Sequence, residues 1–177
     1  MDVFEAIRIR KSVRAYDSSP IPNEILLRIL EAGRLAPSAG NIQPWHFIVV
    51  SDVGKRRRFA QARYARFLAE SPVVIVGCGD QRASPQWYMV DVAIALENMV
   101  LAATSEGLGS CWVGSFNENE IKEILKIPEK FRVVALLAIG YSRRKFDLSR
   151  KLLHLIRRRK KLEKIASFEE FGKFAAV

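Results

Sequence analysis

Arg10-Lys11-Ser12-Val13-Arg14 places three cations and a hydroxyl within five consecutive residues. Guanidinium forks grip phosphate through paired N–H donors, and a serine hydroxyl adds a neutral donor. A second segment, Pro37-Ser-Ala-Gly-Asn-Ile-Gln-Pro-Trp45, has small residues that let backbone approach a ligand, with Ser38, Asn41 and Gln43 as donors and acceptors. A third, Gly107–Phe116, carries Trp112 and a Gly114-Ser115 step whose backbone N–H groups can face a ring nitrogen. Together the three suit one anionic, planar ligand. Singly, the first also fits a helix end followed by a solvated basic strand, and the second an ordinary polar turn.

Other chemistry finds little support. Gly77-Cys-Gly79 and Gly107-Leu-Gly109 lack the third glycine of a dinucleotide fingerprint, and no P-loop or Gly-x-Ser-x-Gly elbow occurs. Cys78 and Cys111 fall in expected strands, and His46 and His154 stand alone, so no metal-ligand spacing exists. Both cysteines read as structural. An enzyme of this composition would take its hard chemistry from a cofactor.

The elements that must position these segments follow from pattern and punctuation. Asp2-Val-Phe-Glu5 opens a helix through Ile9 as a capping box, with Val3, Phe4 and Ile7 on its apolar side. Extended alternation from Arg10 to Tyr16 would then aim Arg10, Ser12 and Arg14 one way and Lys11 and Val13 the other. Pro22 starts a second helix whose stripe is Ile25, Leu26, Ile29 and Leu30, ending before Pro37. Trp45–Val50 and Val73–Cys78 read as buried strands, with a surface helix Lys55–Leu68 between them. Tyr88–Ser105 is the longest helix, closed by Gly107. It carries Val92, Ala95, Leu96 and Met99 on one side and Ile94 and Leu101 on another, so it is expected to be buried in the core or against another subunit. Strand Ser110–Gly114, helix Glu118–Leu125 and strand Arg132–Tyr141 complete an α+β chain around one mixed sheet.

With 177 residues, 49% of them hydrophobic, the chain suits one domain with a real core. Its net charge of +10 is concentrated: Arg143–Lys164 holds eleven Lys/Arg against Asp147 and Glu163, leaving +1 for the remainder. Such a run can meet nucleic acid, an anionic membrane or a phosphate, or only water. Two cysteines fit a reducing compartment, and Met1, Asp2 and Glu5 do not open a secretory signal, so a cytoplasmic location is expected.

The ordered set RKSVRAY at 10–16, APSAGNIQPWHFIVV at 36–50, DVAIALENMVLAATSEGLGSCWVGSF at 91–116 and ALLAIGY at 135–141 resembles the FMN-dependent nitroreductase family. RRRKKLEKIASFEEFG at 157–172 looks like that family's closing segment. The resemblance runs from about Val3 to Phe171. It implies a mixed, mainly antiparallel sheet flanked by helices, built as an intertwined homodimer with FMN at each of two interfaces. Residues 1–177 would then form a single domain, with 142–177 a basic C-terminal segment reaching to the partner subunit.

Residue by residue, the resemblance assigns the FMN phosphate and ribityl chain to Arg10, Lys11 and Ser12, and the N1–C2 edge of the ring to Arg14. Pro37, Ser38 and Asn41, with Gln43 behind them, would line the cofactor from the partner subunit. The Gly114-Ser115 backbone would donate towards N5 and O4, where hydride arrives. Arg157 and Arg159 would carry charge to the phosphate, although Lys161 stands where the family often has proline and leaves their register open by a residue or two.

The implied activity is hydride transfer from NADH or NADPH to flavin, then two-electron reduction of a small organic acceptor, such as a nitroaromatic or quinone, in ping-pong order. No side chain is assigned as catalytic, and no metal is expected. Only eight residues, Asp80–Trp87, join the second strand to the long helix, which implies an open site with Tyr64, Phe67, Trp87 and Tyr88 as possible walls. Two other classes remain at this point: a non-catalytic flavin-binding protein, and a nucleic-acid-binding module using Arg143–Lys164. The basic run lacks the interleaved aromatics of a nucleic-acid reader, and membrane association through Leu152–Ile156 is disfavoured.

Overall fold

The computed structural model describes residues 1–62, 64–143 and 159–174. Two compact units divide the chain, Met1–Arg144 and Lys145–Val177. The first holds helices α1 (Val3–Ile9), α2 (Asn23–Arg34), α3 (Val53–Phe59), α4 (Tyr88–Ser105) and α5 (Glu118–Leu125). Its strands are β1 (Trp45–Val50), β2 (Val73–Asp80), β3 (Gly109–Val113) and β4 (Phe131–Gly140).

The strands pair antiparallel in the order β1-β2-β4-β3. The parallel component is a bridge between Ser12 and Ser110, which lays the segment after α1 against the open edge of β3. All of β2 is buried, as a central strand covered on both faces must be. Alternation then builds two layers of core. One face turns Val74, Val76, Leu136 and Ala138 towards Phe59, Phe67, Leu68 and Ile121. The other turns Ile75, Leu137 and Ile139 towards Ile29 of α2 and Val92, Leu96 and Met99 of α4. Each buried aliphatic side chain contributes about 1.5–3 kcal/mol, so these layers dominate the stability of the fold.

Caps set most helix ends. Asp2 accepts from the Glu5 N–H at 2.8 Å, Asp52 from Lys55 at 2.8 Å and Asn117 from Glu120 at 3.3 Å. At the end of α4, Gly107 takes φ 76°, and the N–H groups of Leu108 and Gly107 return to the carbonyls of Ala103 and Thr104. That is a Schellman closure, which favours glycine at the left-handed position.

Two expectations are modified. The helix expected over Lys55–Leu68 begins at Val53 and stops at Phe59, and a separate 3₁₀ turn forms at Arg66–Ala69. The cause is Arg56, a buried side chain rather than a surface one. Its guanidinium donates to the carbonyls of Ser51, Ala69 and Ser71, so the chain must double back instead of continuing as helix. In α1 it is Ala6 that is buried, while Val3, Phe4 and Ile7 are exposed. In α4 the Val92–Ala95–Leu96–Met99 side is fully buried, but Met89, Val90 and Ile94 face outward. Although α4 is long and apolar enough to cross a bilayer, this buried side identifies it as a core helix.

In the second unit, a 3₁₀ turn spans Leu162–Lys164, and Phe168 packs against Phe174 with ring centroids 5.5 Å apart. Leu162, Ile165 and Phe171 are exposed.

Candidate functional site

The Arg10–Tyr16 segment is held to the sheet edge by backbone and by two inward side chains. Arg10 caps α1 through an N–H bond to the Ala6 carbonyl. The Val13 N–H then donates to the Ser110 carbonyl at 2.9 Å, and Val13 itself is buried. Tyr16 is buried too, its hydroxyl donating to the carbonyls of Val13 at 2.7 Å and Ala138 at 3.3 Å. Burial pushes that hydroxyl far above its ordinary pKa, so it serves as a neutral donor. With Val13 and Tyr16 inside, Lys11, Ser12 and Arg14 remain exposed.

The expected alternation holds for Ser12, Val13 and Arg14. The Arg14 guanidinium lies 6.0 Å from the centre of the Phe67 ring. Arg10 departs from it, because it belongs to the helix cap. Its side chain lies 3.9 Å from the Glu97 carboxylate of α4, which also accepts the Trp112 indole N–H at 3.1 Å. Glu97 thus links the first and third segments, a role that nothing in its local sequence signals.

Arg14 borders a cavity of about 680 Å³ lined by Gln61, Ala62, Tyr64, Arg66, Phe67 and Glu70. Glu70 is ion-paired with Arg143. A smaller cavity of about 210 Å³ shares Gln61 and Ala62 and reaches Phe116 and Asn117. Arg14 and the chain just beyond Gly114-Ser115 therefore border neighbouring cavities with aromatic and amide walls. A Cβ on Gly114 would meet nothing within 4 Å, which leaves the backbone at Gly114 open to a ligand. Gln61 and Arg66 were absent from the expected site because the helix break that turns them here depends on distant carbonyls. Of the possible walls, Tyr64 and Phe67 line the larger cavity, whereas Tyr88 lies against Gly79.

Both cysteines are free and buried, as expected of structural residues. Burial pushes the Cys78 thiol up to about 12, and it raises Cys111 against the opposing influence of Arg14 and Ser12. Among the described residues there is no group of His, Cys, Asp and Glu able to hold a metal ion.

The second segment stands elsewhere. Pro37–Gln43 leads into β1, the opposite edge of the sheet from β3, about 14 Å away across three strand spacings. Gly40, Asn41 and Gln43 all adopt positive φ. Ser38 Oγ accepts the Gln43 N–H at 2.9 Å, and the Gln43 amide donates to Asn41 Oδ1 at 3.1 Å. One chain therefore brings the Arg10–Arg14 and Gly114-Ser115 segments to one side and leaves Pro37, Ser38, Asn41 and Gln43 on the other. Arg159 is exposed in the second unit, and Arg157 lies outside the described residues.

The sequence model of the Nitroreductase family matches residues 7–73 and 59–141. The chain belongs to the nitroreductase family. Among its relatives is an Archaeoglobus fulgidus protein provisionally named an NADH dehydrogenase/NAD(P)H nitroreductase, 36% identical over 154 residues, with 82% of this chain and 88% of that one covered. A nitroreductase family protein of Clostridium novyi NT superposes with a TM-score of 0.77 at 33% identity, covering 98% and 96% of the two chains. An FMN-dependent nitroreductase of Clostridium difficile R20291 gives 0.81 at 30% identity, covering 95% and 99%. The nitroreductase fold expected from the motifs, an α+β arrangement around a mainly antiparallel sheet, is thus the fold found.

Proposed function

We propose that this nitroreductase binds FMN, oxidises NADH or NADPH, and passes two electrons to a small organic acceptor, such as a nitroaromatic or quinone, in ping-pong order. The observation that carries the reading is the Arg10–Arg14 segment fastened along β3, with half-buried Arg10 and exposed Lys11 at one end and Arg14 at an aromatic cavity at the other. The donor set fits the cofactor: Arg10, Lys11 and Ser12 match a phosphate, and the open backbone at Gly114 with Arg14 matches a planar ring edged by carbonyls and nitrogens.

When bound, FMN supplies the two-electron relay between nicotinamide and acceptor. The chain's own residues hold and orient. Arg14 favours negative charge on the ring edge it faces, and the Gly114-Ser115 amides steady the neighbouring edge. Arg157 and Arg159 add charge at the phosphate.

Pro37, Ser38, Asn41 and Gln43 enter the site from the partner of a homodimer, since one sheet separates them from Arg14 in their own chain. The outward side chains Phe4 of α1 and Met89 and Ile94 of α4 supply the apolar contact for that partner. Seven residues, Gln81–Trp87, join β2 to α4, too few for a large cover, which favours a small or permissive acceptor. Free, buried Cys78 and Cys111 agree with a reducing cytoplasm.

Anaerobic titration of FMN-supplemented protein with NADH and then NADPH tests the activity. Bleaching of the visible flavin band by either donor is expected. Flavin that neither donor bleaches would reduce the chain to a flavin-binding protein, and failure to retain FMN would remove the reading altogether. Sedimentation at micromolar concentration should give a dimer, and a monomer that retains FMN would refute the shared site.

A further inference from the structure

Asp91 lies in the first turn of α4 with only 2% of its surface exposed. Its Oδ1 accepts the Ala39 N–H at 3.1 Å, whereas Oδ2 is buried with no hydrogen-bond partner among the described residues. A half-satisfied buried carboxylate is unfavourable for folding, and an apolar side chain of similar size would pack there at less cost.

What the carboxylate holds is the start of the 3₁₀ turn Ala39–Asn41. Asn41 and Gln43 flank its end at φ 54° and 52°, a left-handed backbone that side-chain-bearing residues adopt reluctantly. The bonds from Gln43 to Ser38 and Asn41 close the loop on itself, and the Asp91–Ala39 bond ties it to the helix.

We infer that Asp91 is a positioning residue: against the interest of fold stability, it holds loop 37–43 in the conformation that presents Ser38 and Asn41 to FMN. The inference rests on the role given to that loop above. An untied loop would have to be ordered when the cofactor binds, and affinity would fall by that amount.

Asp91→Ala, Asp91→Asn and Ala39→Pro test it together. Ala39→Pro removes the N–H that the carboxylate accepts, and Ser38 at φ −141°, ψ 155° already has the extended backbone required before proline. Flavin fluorescence gives the FMN affinity, and thermal melting without added FMN gives the stability of the fold. Asp91→Ala and Ala39→Pro should each bind FMN about tenfold more weakly, while Asp91→Asn, which keeps an acceptor for Ala39, stays within about threefold of the parent. A further variant, Asp91→Leu, replaces the carboxylate by an apolar group of the same branched shape and should melt at or above the parent temperature.

Undiminished FMN affinity in Asp91→Ala overturns the inference. So does a melting temperature of Asp91→Leu that drops together with its FMN affinity, since Asp91 would then be an ordinary structural residue. If Asp91→Ala does not fold, Ala39→Pro decides, and parental affinity there overturns the inference equally. A parent protein that holds no FMN would instead strike the cofactor reading itself.

Discussion

A Cβ placed on Gly109 would stand 2.6 Å from Cγ2 of Val13 and 2.8 Å from its Cβ. The first residue of β3 is thus the floor on which the Arg10–Arg14 segment rests, and the Ser12–Ser110 bridge beside it needs that close approach. Val13 is buried by the contact, which is what keeps Ser12 and Arg14 outward.

Gly109→Ala should therefore lift the segment off the sheet edge. Overpacking of this kind costs about 2 kcal/mol. Chemical denaturation should record the loss, and FMN titration of the folded variant should show weaker binding, because the cations proposed to hold the phosphate move with the backbone.

Arg14→Glu reverses the charge beside the Phe67 ring and at the rim of the larger cavity. FMN should bind more weakly, and flavin reduction by NAD(P)H should slow by at least about tenfold, in line with loss of an electrostatic stabiliser. Stopped-flow absorbance gives the rate and fluorescence the affinity. Parental values for both would end the role assigned to Arg14.

Arg56→Met removes the buried guanidinium that serves the Ser51, Ala69 and Ser71 carbonyls. Leaving such acceptors without donors costs about 2–4 kcal/mol, and urea unfolding should show a midpoint shift of that order. Lysine should rescue little, since one ammonium on a flexible stem cannot reproduce the fork.

Glu118 accepts from Arg132 at 2.8 Å through both carboxylate oxygens and from the Val133 N–H at 3.0 Å. Those bonds hold its carboxyl below the ordinary value of 4.5. A carboxylate depressed on folding stabilises the protein above its unfolded pKa and ceases to do so as pH falls through the folded one. Glu118→Gln should thus be less stable than the parent by about 1 kcal/mol at neutral pH, screening by solvent included. The gap should begin to close as pH falls below 4.5. Melting curves of the two proteins from pH 7 to pH 3 check the convergence.

Much of the frame was legible because its signals are local. Asp2 ahead of Val3 and Gly107 after Ser105 each set an element boundary through one residue's own chemistry. The break after Phe59 was hidden because neither glycine nor proline marks it, and the carbonyls that draw Arg56 inward lie at Ala69 and Ser71. Arg10 turned to Glu97 for a similar reason: strand alternation does not apply to a helix cap. The motif residues announced a phosphate-binding chemistry, but the distance from Pro37–Gln43 to Arg14 is a property of strand order, which no single segment encodes.

That strand order has a genetic consequence. In the shared site proposed above, lesions in Arg10–Arg14 and lesions in Pro37–Gln43, which stand at opposite edges of the sheet, are not equivalent defects. In the proposed homodimer, a subunit carrying Arg14→Glu would still offer an intact Ser38 and Asn41 to its neighbour, and a subunit damaged at Asn41 would still offer an intact Arg14. Co-expressed, two inactive alleles of this kind would complement each other, each mixed pair regaining one working centre, whereas two alleles damaged in the same half would remain silent together.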